Sequence, residues 1–217
     1  RLAGTDADRR AVEWAQALLK ASNFDKVWVE PVTIPIWQRQ SERARVVSPY
    51  PQPLHITALG YSGSTDGEIT EEVIGFPTLA AFKAADADTV AGKIVFVNQK
   101  MERHKQGAGY SKVVPLRYAA GPVAKEKGAR AALIRSIGTD SHRFPHTGTS
   151  VQSETPFPAA ALSAPDADQL QRMLDRGQPV RVALNIKVSE TAGGTSYNVI
   201  AQINGREKPK EIILIGA

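Results

Sequence analysis

The stretch Arg135-Ser-Ile-Gly-Thr-Asp-Ser-His-Arg-Phe-Pro-His-Thr-Gly148 holds two of the chain's four histidines and two arginines. His142 and His146 stand four apart, a spacing that ligates a metal well from one face of a helix. Pro145 lies between them and argues against a helix, so a solvated or hydrogen-bonded loop explains the pair. Asp6 with Asp8, and Asp86 with Asp88, are spaced like metal carboxylates, yet helix-start and turn chemistry explain them better. The chain has no cysteine, so disulfides and thiolate sites are excluded. No metal ligand and no catalytic residue is expected within it. A serine nucleophile is no better placed: Gly60-Tyr-Ser-Gly63 is not a Gly-x-Ser-x-Gly elbow. Gly107-Ala-Gly109 has no phosphate-loop lysine and serine after it and reads as a flexible loop. What remains is recognition. Arg135 and Arg143 each carry a planar fork that can give a carboxylate two parallel hydrogen bonds, and His146 stands beside them in a polar loop. A purely structural loop, with His146 capping backbone groups, accounts for the same residues.

That loop should leave the carboxyl end of a buried strand, Ala131 to Ile134. Before it, Pro115 to Lys127 reads as a helix with Gly128 at its αL end; after it come a strand, Phe157 to Leu162, and a helix, Pro165 to Arg176. Ser163 caps this helix and Gly177 follows it. Upstream, Thr5 caps a helix whose apolar positions are Ala11, Trp14, Ala15, Leu18 and Leu19. Lys26 to Ile34 alternates as a strand, at an edge or bulged because of Pro31. From about Arg39 short strand-like runs (Ala44 to Val47, His55 to Leu59, Glu68 to Phe76) alternate with Pro and Gly turns. A short helix spans Thr78 to Ala85, and Lys93 to Val97 is a buried strand. Val180 to Val188 alternates, Ala192-Gly-Gly-Thr195 reads as a linker, and Ser196 to Asn204 reads as a strand. Ile212 to Ile215 is a continuous apolar run, expected as a strand buried on both faces that pairs with Ser196 to Asn204 as a hairpin. A lone hairpin is marginal in water, so the chain reads as the front part of a longer protein.

Composition leaves fewer options. The hydrophobic content of 42% and charged content of 23% are those of an ordinary globular protein. No stretch approaches the apolar length of a membrane span, and Arg1 to Thr5 leads into a helix rather than forming a signal peptide. The net charge is +5, and Lys93 to Arg143 concentrates eleven Lys and Arg against three Asp and Glu. Such a segment could meet an acidic partner, but a solvated basic face explains it. Phe96, Tyr110 and Tyr118 form no stacking series, so nucleic acid is not expected as a partner.

Tyr197-Asn-Val-Ile-Ala-Gln-Ile-Asn-Gly205, Glu207-Lys-Pro209 and Glu211-Ile-Ile-Leu-Ile-Gly216 together resemble the segment before the first metal ligand of the co-catalytic dizinc exopeptidases. These are the zinc aminopeptidases and glutamate carboxypeptidases, and the resemblance is strongest to the carboxypeptidase Q-like branch. Val90 to Val97, Ala124 to Ile134, and Phe157 to Ser163 followed by Asp166 to Gly177 resemble, in that order, a protease-associated domain. The resemblance implies an α+β architecture in which a protease-associated domain, a partly open β-barrel with flanking helices, is inserted into an incomplete α/β peptidase domain. Residues 1–38 and 195–217 would be two pieces of the peptidase domain and 39–194 the insertion. The family's next residues, His-x-Asp, would begin the metal site, so two zinc ions belong to the parent enzyme and none is expected in this chain.

The same resemblance implies that the parent hydrolyses small peptides, in a secreted or periplasmic setting, while this chain alone is inactive. The inserted domain would act as a lid. Pro145-His-Thr-Gly148 matches the branch's Pro-His-Thr-Gly, which makes Arg135, Arg143, His146 and Thr147 the implied substrate-binding residues. The expected partner is a peptide, with a homodimer left open. The alternative is a stand-alone protease-associated module that binds peptides or proteins without catalysis.

Overall fold

The computed structural model describes residues 2–216, so Arg1 and Ala217, the outer limits of the first and last expected segments, lie outside the described residues. The elements run α1 (Asp6–Ala21), β1 (Lys26–Ser48), β2 (Gln52–Leu54), β3 (Ile56–Ala58), β4 (Ile69–Phe76), α2 (Leu79–Ala84), α3 (Ala87–Val90), β5 (Ile94–Val97), α4 (Ala108–Val113), α5 (Pro115–Glu126), β6 (Ala131–Arg135), β7 (Ala159–Leu162), α6 (Ala164–Leu174) and β8 (Arg181–Gln202). The class is α+β with one mixed eight-stranded sheet. The chain divides into two units, Arg1–Gln38 with Glu190–Ala217, and Arg39–Ser189.

In the Arg39–Ser189 unit, β4, β5, β6 and β7 lie side by side in parallel. Every residue of β5, β6 and β7 is buried, as expected of parallel strands covered on both faces. Side chains alternate across the sheet. Val95, Val97, Ala132, Ile134, Ala159 and Ala161 join Phe82, Val113, Leu116, Ala120 and Ala124 in one core. Ile94, Phe96, Leu133 and Leu162, also buried, point the other way. β4 changes partner along its length: Ile69 to Glu72 pair antiparallel with β8, and Val73 to Phe76 pair parallel with β5. The strand order is β2-β1-β8-β4-β5-β6-β7-β3. Its two ends, β2 and β3, are separated in the chain by His55 alone. Residues 52–58 therefore act as one strand that pairs with β1 through its first half and with β7 through its second, and the sheet closes on itself.

Local signals explain the helix ends. The Ser163 hydroxyl accepts the Asp166 amide at the start of α6, and the Thr78 hydroxyl accepts the Ala81 amide at the start of α2. Gly128, at φ +73°, ends the turn after α5. Gly107-Ala-Gly109 is not a loose loop: Gly107 precedes α4 at φ +71°, and a Cβ on Gly109 would lie 2.0 Å from the Glu102 carbonyl oxygen.

The other unit holds α1, whose cap is the Thr5 hydroxyl bonded to the Asp8 amide, together with residues 26–38 of β1 and 190–202 of β8. Two expectations are corrected here. The stretch 192–195 is no linker but part of β8, which runs unbroken from Arg181 to Gln202. Gly193 at φ +77° lets the strand bend, and Gly194 lies so close to Ile36 that a Cβ would fall 1.9 Å from its Cδ1. The expected strand at Ile212 to Ile215, and with it the hairpin, does not form. These residues are outside any strand and strongly exposed. A strand needs a ladder of backbone partners, and among the described residues none lies beside them.

Candidate functional site

The polar side chains with specific partners gather where β5, β6 and β7 end. Parallel strands present their carboxyl ends together, and loops held by such a rigid scaffold are common sites of recognition. β5 is followed by Asn98 and Lys100, β6 ends at Arg135 and is followed by Ser136, and β7 leads into Ser163 and the first turn of α6.

Two aspartates, Asp166 in that turn and Asp168 just beyond it, organise the rest. Asp168 receives both arms of Arg135, at 2.8 and 3.2 Å, and Lys100 at 3.1 Å. Arg135 is buried and also donates to Asn98 Oδ1 at 3.2 Å. The Arg135 hydrogen bonds, joined by Lys100, outweigh partial burial and hold the Asp168 carboxyl below the usual carboxylate range. Asp166 is fully buried. Its Oδ2 accepts the His55 amide at 2.8 Å, His55 Nδ1 at 3.0 Å and the Ser163 hydroxyl at 2.8 Å. Its Oδ1 accepts the Nε–H of Arg143 at 2.9 Å, and an outer nitrogen of the same guanidinium forms an ion pair with it at 2.9 Å. Burial alone would push this carboxyl up. The bonds from His55 and Ser163, with the Arg143 charge, prevail and hold it below its ordinary range.

His146 is held by its own loop. Ser136 Oγ accepts the His146 amide at 2.6 Å and donates to the His146 carbonyl at 3.2 Å. Ring Nδ1 lies 2.7 Å from the Ile137 carbonyl oxygen. A carbonyl only accepts, so Nδ1 carries the proton and Nε2 is left as the open nitrogen. The Thr147 hydroxyl donates to the Ala58 carbonyl at 3.3 Å, and the Gly148 carbonyl accepts the Gly60 amide at 2.8 Å. Beside the Arg135 end, a cleft of about 320 Å³ is lined by Lys100, Met101, Arg103, Arg135 and Asp140.

The structure thus brings Arg135, Arg143, His146 and Thr147 to one end of the sheet, each tied to a different internal partner. Asp166, Asp168, Ser136 and His55 were not singled out from the sequence. An acidic residue in the first turn after a Ser cap was a visible signal for Asp166, whereas Asp168 and the partners of Ser136 and His55 depend on tertiary contact. His142 and His146 do not converge: His142 stacks on Phe144 and lies 3.6 Å from Asp140. Among the described residues no three His, Asp or Glu side chains gather as a metal site, so the residues present do not fit a zinc ion. No helix among them is long and apolar enough to cross a membrane.

No family model matches the chain. Carboxypeptidase Q of Bos taurus is 34% identical over 218 residues, covering 99% of this chain and 45% of that protein. Carboxypeptidase Q of Homo sapiens is 31% identical with the same coverage. Among solved structures, a peptidase M28 precursor from Shewanella amazonensis superposes with a TM-score of 0.90 at 43% identity, over 96% of this chain and 48% of that one. An aminopeptidase from Aneurinibacillus, with a TM-score of 0.60 at 18% identity over 98% of this chain and 46% of its own, shares the fold. The chain spans about half the length of the relatives it matches. Over the stretch it spans, the chain is similar to carboxypeptidase Q and to the peptidase M28 precursor along nearly its whole length.

Proposed function

We propose that this chain is the amino-terminal portion of a zinc exopeptidase that hydrolyses small peptides, and that residues 39–194 form an inserted protease-associated domain acting as lid and substrate-recognition element. The observation that carries this reading is the match to carboxypeptidase Q along 99% of the chain but 45% of the relative. The two zinc ions of the parent would be held by residues outside this chain, and the chain alone would be inactive. A secreted or periplasmic location follows from the same family reading.

Within the lid, Arg143 and His146 are the residues that meet the peptide. The Arg143 side chain is half exposed, with one edge on Asp166 and the other open. His146 has Nε2 open. Arg135 is buried on Asp168 and Asn98, so it fixes the strand end from which the loop departs, and Thr147 ties the loop to Ala58. Losing one charge-assisted hydrogen bond to a substrate carboxylate costs about 1.5–3 kcal/mol, roughly ten- to a hundredfold in kcat/KM.

The test is kinetic, in the complete gene product. Arg143→Ala and His146→Ala should lower kcat/KM for short peptides by that factor, with zinc content unchanged. Full efficiency in both would remove the lid assignment. A complete product that binds no zinc and cleaves no peptide would instead favour a stand-alone peptide- or protein-binding module.

A further inference from the structure

Arg117 lies in the first turn of α5, at helical spacing from the core residues Ala120 and Ala124, and it is 4% exposed. The basic side chains at the strand ends have carboxylates: Lys100 and Arg135 share Asp168, and Arg143 holds Asp166. Among the described residues Arg117 has none, and its Nε has no hydrogen-bond partner. Burying a cation without a counter-charge is costly, so packing of α5 does not by itself account for an arginine here.

Its contacts point to the loop. One outer nitrogen donates to the Tyr110 hydroxyl at 2.8 Å. The other lies 3.4 Å from His146 Nδ1; because that nitrogen already donates to Ile137, this is an abutment rather than a second hydrogen bond. The Gly148 backbone rests directly on the guanidinium. A Cβ there would fall 2.6 Å from one outer nitrogen and 3.0 Å from both Cδ and Cζ. A planar fork offers a flat platform that an ammonium lacks.

We propose that Arg117 is the positioning residue of the turn 145–148: its plane supports Gly148, its edge abuts the His146 ring, and the pair holds Nε2 of His146 outward. A Cβ at position 148 would press on this platform and displace it. What His146 then does rests on the peptidase reading; the clamp itself does not.

The test uses this chain, with amide hydrogen exchange and NMR of the histidine ring nitrogens. Arg117→Met removes the plane and the charge but keeps an apolar stem, and Gly148→Ala attacks the same contact from the loop. Both should speed exchange of the Gly60, His146 and Ser150 amides by about tenfold or more, as expected of a locally opened segment. Both should also replace the single Nδ1–H form of His146 by an average of two tautomers. The Val95 and Leu133 amides should keep their protection, and Tm in Arg117→Met should be unchanged or higher. Unaltered loop exchange and ring signals in both variants would overturn the clamp. So would a uniform loss of protection in core and loop alike, which would make Arg117 a packing residue of α5. If Arg117→Met does not fold, Gly148→Ala decides alone by the same signals. In the complete enzyme both variants should lower kcat/KM at unchanged zinc content. Full activity there, with the loop loosened as described, would sink the catalytic reading of His146 and leave the clamp standing.

Discussion

Helices α1 and α5 are both amphipathic, yet α5 buries Leu116, Arg117, Ala120, Gly121 and Ala124 while α1 buries nothing. Trp14 and Leu18 of α1 are 65% and 49% exposed, and Ile212 to Ile215, in the same unit, are 86–90% exposed. Around α5 the strands β5, β6 and β7 supply an apolar face. Around α1 the described residues supply little. The difference is one of covering surface rather than helix-forming signal, since α1 has a cap, acidic residues in its first turn and a lysine in its last. Helical stability in proteins comes mostly from packing of the apolar face, so the two units should differ sharply in how they respond to perturbation.

The largest contrast is expected in hydrogen exchange. Amides of Val95, Leu133 and Ala160 should open only with global unfolding, while those of α1 and 211–215 should exchange at least about a hundredfold faster through local opening. Comparable protection in both would erase the distinction between the units. Truncation should follow the same division. Leu133→Ala is expected to cost about 2–5 kcal/mol by denaturant unfolding, against less than about 0.5 kcal/mol for Leu18→Ala.

Asp166 sharpens the comparison within the Arg39–Ser189 unit. Asp166→Asn leaves His55, Ser163 and Arg143 facing an amide and should cost about 3 kcal/mol. Its folded carboxyl lies below its ordinary range, so its stabilisation is complete above the unfolded value of about 3.9 and is lost as pH falls through the folded value. A Tm series from neutral to strongly acid pH should show this loss in the wild type, with a smaller part remaining in Asp166→Asn; identical acid profiles would discharge Asp166 from the role. The smallest effect belongs to α1. Arg9 and Glu13 approach to 2.6 Å with both side chains more than half exposed, and Arg9→Ala should change stability by about 0.3–0.5 kcal/mol or less.

The sequence was most legible where a local rule and the tertiary environment agree. Thr5 and Ser163 cap as expected, and the apolar runs 94–97 and 131–134 are buried strands. It misled where the same pattern has two outcomes. Ile212-Ile-Leu-Ile215 satisfies every local rule for a buried strand, yet the ladder partner is a tertiary matter. Pro31, by contrast, was expected inside a strand and does lie within β1, followed there by Pro35, because the cost of a missing N–H depends on whether a partner strand asks for it. At the site, the loop 135–148 was visible as polar chain leaving a strand end. Arg117 was not, because arginine in a helix normally faces water. Its place before Ala120 and Ala124 in an i, i+3, i+7 series was the available clue.

The single residue between β2 and β3 has one more consequence. The strand order ends in two segments of only three residues each, so the Arg39–Ser189 unit presents almost no rim of unpaired amides. Short, blunted rims resist strand addition, the mode in which a bound peptide is recognised through its own backbone and becomes an extra strand. A peptide that meets this unit must therefore be read by side chains and loop tips. Point substitutions in the loops could then retune its specificity while the barrel beneath stays intact.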